Sequence, residues 1–120
     1  MLRALDALRR ALNRGLQLGL LDLEAHYAIY APGAAYARHR DRFRDDDARA
    51  VSIVLYLNAD WQSDDGGALR LFDGAHSVDI VPKSGTLVAF TSDGIEHEVL
   101  PARRTRLSVA GWFCRRRIGR

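Results

Sequence analysis

A single cysteine, Cys114, is all the chain contains, so no disulfide can close within it. Long apolar runs are missing as well: none approaches the ~20 residues that a membrane-spanning helix needs. The opening Met1-Leu2-Arg3-Ala4 lacks the apolar stretch and small-residue cleavage site of a secretory signal. There is no internal repeat, linker or low-complexity segment. These absences argue against a disulfide-stapled secreted scaffold and a membrane partner, and point to the reducing cytoplasm. Charge of one sign is also in modest supply. The net charge is +3, and the cluster Arg115, Arg116, Arg117 and Arg120 has no aromatic residues interleaved with it. Nucleic-acid grooves combine such cations with stacking platforms. Residues 114–120 therefore read as a solvated basic tail, with no nucleic-acid partner expected.

What is present fits one domain over residues 1–120. The chain is 48% hydrophobic and 28% charged, a globular composition, and at this length it can bury about two-thirds of its unfolded surface. Residues 2 to about 16 place Leu5, Leu8, Leu12 and Leu16 at helical spacing, with Arg3, Asp6, Arg9, Arg10, Asn13 and Arg14 mostly on other faces. One amphipathic N-terminal helix follows, its leucines packed on a sheet, before Gly15 and Gly19 break the pattern. From residue 25 the texture changes to short strands, expected at 25–30, 35–41, 50–58, 68–72, 77–81, 86–92, 97–100 and 106–113. Turn chemistry separates them: Ala31-Pro32-Gly33, Asp45-Asp46-Asp47, Asp64-Asp65-Gly66-Gly67, Asp73-Gly74, Pro82-Lys83-Ser84-Gly85 and Asp93-Gly94. Many short strands at near-regular spacing predict a mainly β sandwich, jelly roll or barrel over about 25–113.

Two strands carry more information. Residues 51–57 are nearly continuously apolar, which predicts a central strand buried on both faces. In 106–113, Leu107, Val109 and Phe113 share one face, and Arg106, Ser108, Ala110 and Trp112 share the other. A cation, small residues and an aromatic on one face suit a cavity wall; a solvent face with one stray tryptophan is the plain alternative.

The chemistry centres on His39-Arg40-Asp41. In an extended chain, residues i and i+2 face the same side. An imidazole and a carboxylate side by side, with one more imidazole from elsewhere, make the 2-His-1-carboxylate triad of non-haem Fe(II) oxygenases. His97, at the start of a late strand, is the best placed third ligand; His26 lies on the first strand and His76 follows a turn. Arg106 comes nine residues after His97, a span that lets a short hairpin return the chain to a neighbouring strand. A cation buried at the end of a cavity needs an anionic partner, and a guanidinium offers a planar fork to a carboxylate. The dicarboxylate 2-oxoglutarate would supply one.

Four stretches carry a wider resemblance. They are Tyr30-Ala-Pro-Gly-Ala-Ala-Tyr36-Ala-Arg-His39-Arg-Asp41, Tyr56-Leu57-Asn58 with Trp61, Gly66-Gly67-Ala68-Leu69-Arg70-Leu71-Phe72, and His97-Glu98-Val99 followed by Arg106-Leu-Ser-Val-Ala-Gly-Trp112-Phe113. In order and spacing they resemble the prolyl hydroxylase branch of the Fe(II)/2-oxoglutarate-dependent oxygenases, from about residue 25 to 113. The resemblance implies a double-stranded β-helix, a jelly roll with the metal between its sheets. It implies Fe(II) on His39, Asp41 and His97, with no catalytic residue beyond these ligands. Arg106 and the Tyr56 hydroxyl would hold the far carboxylate of 2-oxoglutarate, with Tyr30 a further co-substrate contact. Leu69 and Trp112 would line the pocket, and Arg49 would sit near the substrate entrance as a substrate contact. O2 would be the second co-substrate, L-ascorbate the reductant, and succinate and CO2 the co-products. The implied target is a prolyl residue in a protein, with translation factors and ribosomal proteins as candidates. The family's domain ordinarily carries more helix and a further strand ahead of residue 1. Its loop after the Asp ligand is longer than residues 42–48, which suggests a different substrate surface here unless the three aspartates are simply a solvated turn.

Three rival readings stand beside this one: a metal-binding jelly-roll module without turnover, a hydroxylase of another side chain or a small molecule, and a cupin-type metal enzyme. Metal binding without 2-oxoglutarate turnover would mark the first, and an iron protein that ignores 2-oxoglutarate would mark the last.

Overall fold

At most of the described strand connections the chain turns where glycine, proline and aspartate cluster, as at residues 31–33, 64–67, 73–74, 82–85 and 93–94. The structure is a computed structural model that describes residues 3, 6–11, 20–41 and 49–115. Residues 6–11 form helix α1. Eight strands follow: β1 Leu20–Tyr30, β2 Tyr36–His39, β3 Arg49–Tyr56, β4 Leu69–Asp73, β5 His76–Ile80, β6 Leu87–Thr91, β7 Glu96–Val99 and β8 Arg106–Arg115. They build two antiparallel four-stranded sheets, ordered β1-β8-β3-β6 and β2-β7-β4-β5, the paired sheets of a jelly roll.

Register decides what faces the interior. In the first sheet Ser52 pairs with both Trp112 and Phe90, Val54 with Ala110 and Val88, and Tyr56 with Ser108. Across β1, Tyr30 pairs with Arg106 and His26 with Ala110. Side chains alternate along a strand, so one face of this sheet carries Ser52, Val54, Tyr56, Phe90, Arg106, Ser108, Ala110 and Trp112. This is the cavity wall expected of β8, and it faces the second sheet. The opposite face holds a core of Ala50, Val51, Ile53 and Phe113, with Leu8 of α1 and Leu23 packed against it. Phe113 and Ile53 are fully buried, each contributing about 1.5–3 kcal/mol by removal from water. A second cluster joins the sheets: Tyr56, Val88 and Phe90 from the first meet Leu69 and Val99 from the second.

All eight expected strands are present, with shifted ends. β1 begins at Leu20 rather than 25, because β8 runs on to Arg115 and offers it a partner along its whole length. β2 stops at His39; Asp41 lies in a bend beyond it rather than in the strand. β3 lies inside its sheet between β8 and β6, as its apolar run predicts. The remainder of the 2–16 helix apart from residue 3, the loop 42–48 with its three aspartates, and Arg116, Arg117 and Arg120 lie outside the described residues. Among the described residues no helix is long and apolar enough to cross a membrane.

Candidate active site

His39 and His97 come from neighbouring strands of the second sheet and pair directly across β2 and β7. Their rings lie 4.2 Å apart between centroids. Each ring is oriented by its own backbone: His39 Nδ1 is 2.7 Å from the Ala37 carbonyl and His97 Nδ1 is 3.4 Å from that of Ile95. A carbonyl only accepts, so Nδ1 carries the proton and Nε2 the lone pair. Both Nε2 atoms face one oxygen, Asp41 Oδ1, at 3.3 and 3.2 Å. Acceptors this close need a cation among them, a proton or a metal. The three ligand atoms lie within 4.8 Å of one another, and two imidazoles with one carboxylate are the donor set of a non-haem Fe(II) centre.

Asp41 is held by the first sheet. Its Oδ2 accepts a 2.5 Å hydrogen bond from Ser52 Oγ, which also contacts Ser92 Oγ at 2.9 Å. The Arg49 guanidinium donates to the Asp41 backbone carbonyl at 3.1 Å and stacks 4.0 Å over the Trp112 ring. Burial alone would raise the Asp41 carboxyl pKa. When a proton sits on His97 Nε2, the hydrogen bond and charge it brings, with the hydrogen bond from Ser52, outweigh burial and hold the group well below the usual carboxylate range. The Trp112 indole N–H is buried and completes no hydrogen bond, yet it stands close enough to Asp41 to favour the charged form.

Farther along the same wall is a buried cation. Arg106 is 3% exposed. Its Nε donates to the Gly67 carbonyl at 2.8 Å and an Nη to the Tyr56 hydroxyl at 3.1 Å, and Tyr30 and Tyr56 flank it. Among the described residues no carboxylate pairs with it. Gly67 is required here: its φ is +71°, and a Cβ would come within 3.2 Å of Trp61, Ala102 and the Arg106 stem. Burial pushes Tyr56 up to about 12 despite the opposing Arg106 charge. Tyr30 is raised by burial too, with Arg106 again opposing. Both hydroxyls thus stay protonated near neutral pH and can donate to an anion held by Arg106.

One cavity of about 350 Å³ takes in the three ligands, Arg106, both tyrosines, Leu69, Trp112 and Arg49. Every site residue expected from the sequence therefore meets in one place, with Arg49 turned toward Trp112 and the Asp41 backbone. Metal-type donors, a separate unpaired buried cation and an unsatisfied indole N–H fit Fe(II) with 2-oxoglutarate. His26 reaches the rim, its ring 5.6 Å from Trp112, and His76 is exposed at the start of β5; neither joins the triad. Tyr36, half exposed and stacked 4.1 Å from the His39 ring, and the pair Ser52 and Ser92 went unread in the sequence. Strand alternation could have found Ser52, four residues before Tyr56 and thus on its face. Nothing local marks Ser92.

Known proteins resemble the chain in sequence and fold. A model of the 2OG-Fe(II) oxygenase superfamily matches residues 25–114. Egl nine homolog 1 of Rattus norvegicus is 42% identical over 85 residues, covering 68% of this chain but 25% of that protein. The chain thus spans a quarter of that relative's length. A prolyl-4-hydroxylase from Pseudomonas putida superposes with a TM-score of 0.92 at 59% identity, covering 94% of this chain and 64% of that one. A prolyl hydroxylase from Trichoplax adhaerens, solved with a peptide fragment of the hypoxia inducible factor oxygen degradation domain, superposes with a TM-score of 0.74 at 33% identity, covering 79% of this chain and 45% of that one. The match of sequence from within β1 almost to the end of β8, together with that fold, means that the chain belongs to the 2OG-Fe(II) oxygenase superfamily.

Proposed function

We propose that the chain is an Fe(II)- and 2-oxoglutarate-dependent dioxygenase that hydroxylates a prolyl residue of a protein substrate. The observation that carries this reading is the His39–Asp41–His97 cluster sharing one cavity with buried Arg106, which pairs with no carboxylate among the described residues. Similarity to the prolyl hydroxylases of Pseudomonas putida and Trichoplax adhaerens supports the prolyl target, and the peptide bound to the latter supports a protein substrate. A translation or ribosomal protein and a cytoplasmic setting belong to the same proposal. Iron with bound 2-oxoglutarate and O2 supplies the oxidising power, with succinate and CO2 as co-products.

The chain's own residues bind, orient and shield. His39, Asp41 and His97 would hold the metal. The Arg106 guanidinium and Tyr56 hydroxyl would fix the far carboxylate of 2-oxoglutarate, which sets the position of its other end. Leu69, Val54 and Phe90 keep the wall between these points apolar and exclude water. Tyr36 and Arg49, beside His39 and Trp112, would meet the substrate.

The test is turnover of 2-oxoglutarate to succinate with Fe(II) and ascorbate present, together with a mass gain of one oxygen on proline-containing peptides. Asp41→Ala should abolish both, since a missing carboxylate leaves the metal's charge without its offset. Succinate formation at the wild-type rate in that variant would remove the triad from the reaction. Wild-type turnover with no oxygen gained across a broad proline panel would redirect the proposal to another side chain or a small molecule.

A further inference from the structure

We propose that a relay of two buried hydroxyls, Ser92 to Ser52 to Asp41, sets how the carboxylate meets the metal; this rests on the dioxygenase reading above. Ser52 is 1% exposed and Ser92 is fully buried. Ser52 lies on β3 in the first sheet and Ser92 just follows β6 beside it, whereas Asp41 follows β2 of the second sheet. The relay therefore bridges the two sheets at the ligand. A buried hydroxyl is costly unless bonded, and an apolar residue of similar size would avoid that cost.

Counting hydrogens gives the relay a direction. An ionised carboxylate only accepts, so the single Ser52 hydrogen goes to Asp41 Oδ2 at 2.5 Å. Ser52 Oγ must then accept from Ser92, 2.9 Å away. Aligned hydroxyls polarise one another, so the second strengthens the first. Oδ2 is thereby occupied, and the oxygen beside both Nε2 atoms is Oδ1. Asp41 lies in a bend with no strand ladder to fix it, so the relay controls rotation of its carboxylate. Asp41 would then present Oδ1, the oxygen beside both imidazoles, to a metal held by the triad. Ser52 and Ser92 are positioning residues, acting through Asp41.

The experiment compares wild type with Ser52→Ala, Ser52→Thr and Ser92→Ala. Binding of Co(II) to the apo-protein is measured by calorimetry and by the visible ligand-field bands, with folding checked by circular dichroism. Partners of metal ligands typically control 10- to 100-fold in affinity. Ser52→Ala should weaken Co(II) binding by roughly that factor and alter the bands. Ser52→Thr, which keeps the hydroxyl, should restore both, and Ser92→Ala should give a smaller loss of a few-fold. In turnover the metal requirement should rise while the KM for 2-oxoglutarate holds, because Arg106 is untouched. Should Ser52→Ala fail to fold, Ser92→Ala decides, since it touches no ligand. Wild-type affinity and bands in the folded alanine variants would overturn the relay. A wild-type protein that binds no Co(II) would instead overturn the dioxygenase reading itself.

Discussion

At Arg106 a full positive charge is buried with hydrogen bonds but, among the described residues, no counter-charge. Such a group is tolerated because Gly67 O, the Tyr56 hydroxyl and two tyrosine rings share its charge. It gains a true partner only when an anion enters the cavity. Charge-assisted hydrogen bonds are worth about 1.5–3 kcal/mol. Arg106→Ala should therefore raise the KM for 2-oxoglutarate by roughly 10- to 100-fold. Initial-rate measurements at varied 2-oxoglutarate decide this, and an unchanged KM would place the anchor elsewhere. Tyr56 gives a second readout. Its pKa is raised to about 12 by burial, with Arg106 opposing. A raised pKa contributes stability that is fully present below the unfolded value near 10 and is lost as pH rises through the folded value. This contribution is on the order of 2–3 kcal/mol. Denaturant unfolding followed between neutral pH and pH 12 should show that loss in wild type, and Tyr56→Phe should remove this part of the pH dependence.

The strand β8 is the element that joins wall, anchor and core. Its start is locked by Asn58, which is almost fully buried. The Asn58 amide nitrogen donates to the Pro82 and Leu107 carbonyls at 2.9 Å, and its oxygen accepts from the Leu107 N–H at 2.7 Å. One side chain thus ties the end of β3, the turn after β5 and the residue next to Arg106. Asn58→Ala removes the Asn58 partner of the Pro82 carbonyl and the Leu107 N–H, at about 1–3 kcal/mol, while the Leu107 carbonyl keeps the Leu57 N–H at 3.2 Å. The thermal midpoint should fall accordingly, and the KM for 2-oxoglutarate should rise although no cavity-lining residue has changed. A lower midpoint with an unaltered KM would confine Asn58 to a folding role.

For the whole molecule, the triad comes from β2, the bend after it and β7 of the second sheet, and Ser52 of the first sheet holds Asp41, so a metal bound there fastens strands that only the fold brings together. Anything that binds only the folded state stabilises it by mass action: at 100 times its dissociation constant the gain is about 2.7 kcal/mol. Mn(II), which suits the same mixed donors, should raise the thermal midpoint of wild type and leave that of Asp41→Ala unmoved. A shift of the same size in both would mean that the metal binds outside the triad. Because histidine must be neutral to bind metal, the shift should also fade on acidification.

Much of this was legible in the residues themselves. The alternation in β8, the apolar run of β3 and the glycine-rich turns specified eight strands, because side-chain period and turn chemistry are local properties. The order and spacing of His39, Asp41, His97 and Arg106 carried the family resemblance and with it the ligand set. Strand ends were less legible: β1 starts five residues early because β8 reaches that far, and β2 stops before Asp41. What only the tertiary structure decided were contacts between segments distant in sequence. Ser92 reaches Ser52 across forty positions, Asn58 reaches Leu107 across forty-nine, and Arg49 turns to Trp112 at the far end of β8. A hydrogen bond of this kind depends on where two strands come to lie side by side. No local pattern encodes that placement, which is set by which strands pair within the first sheet and in what register.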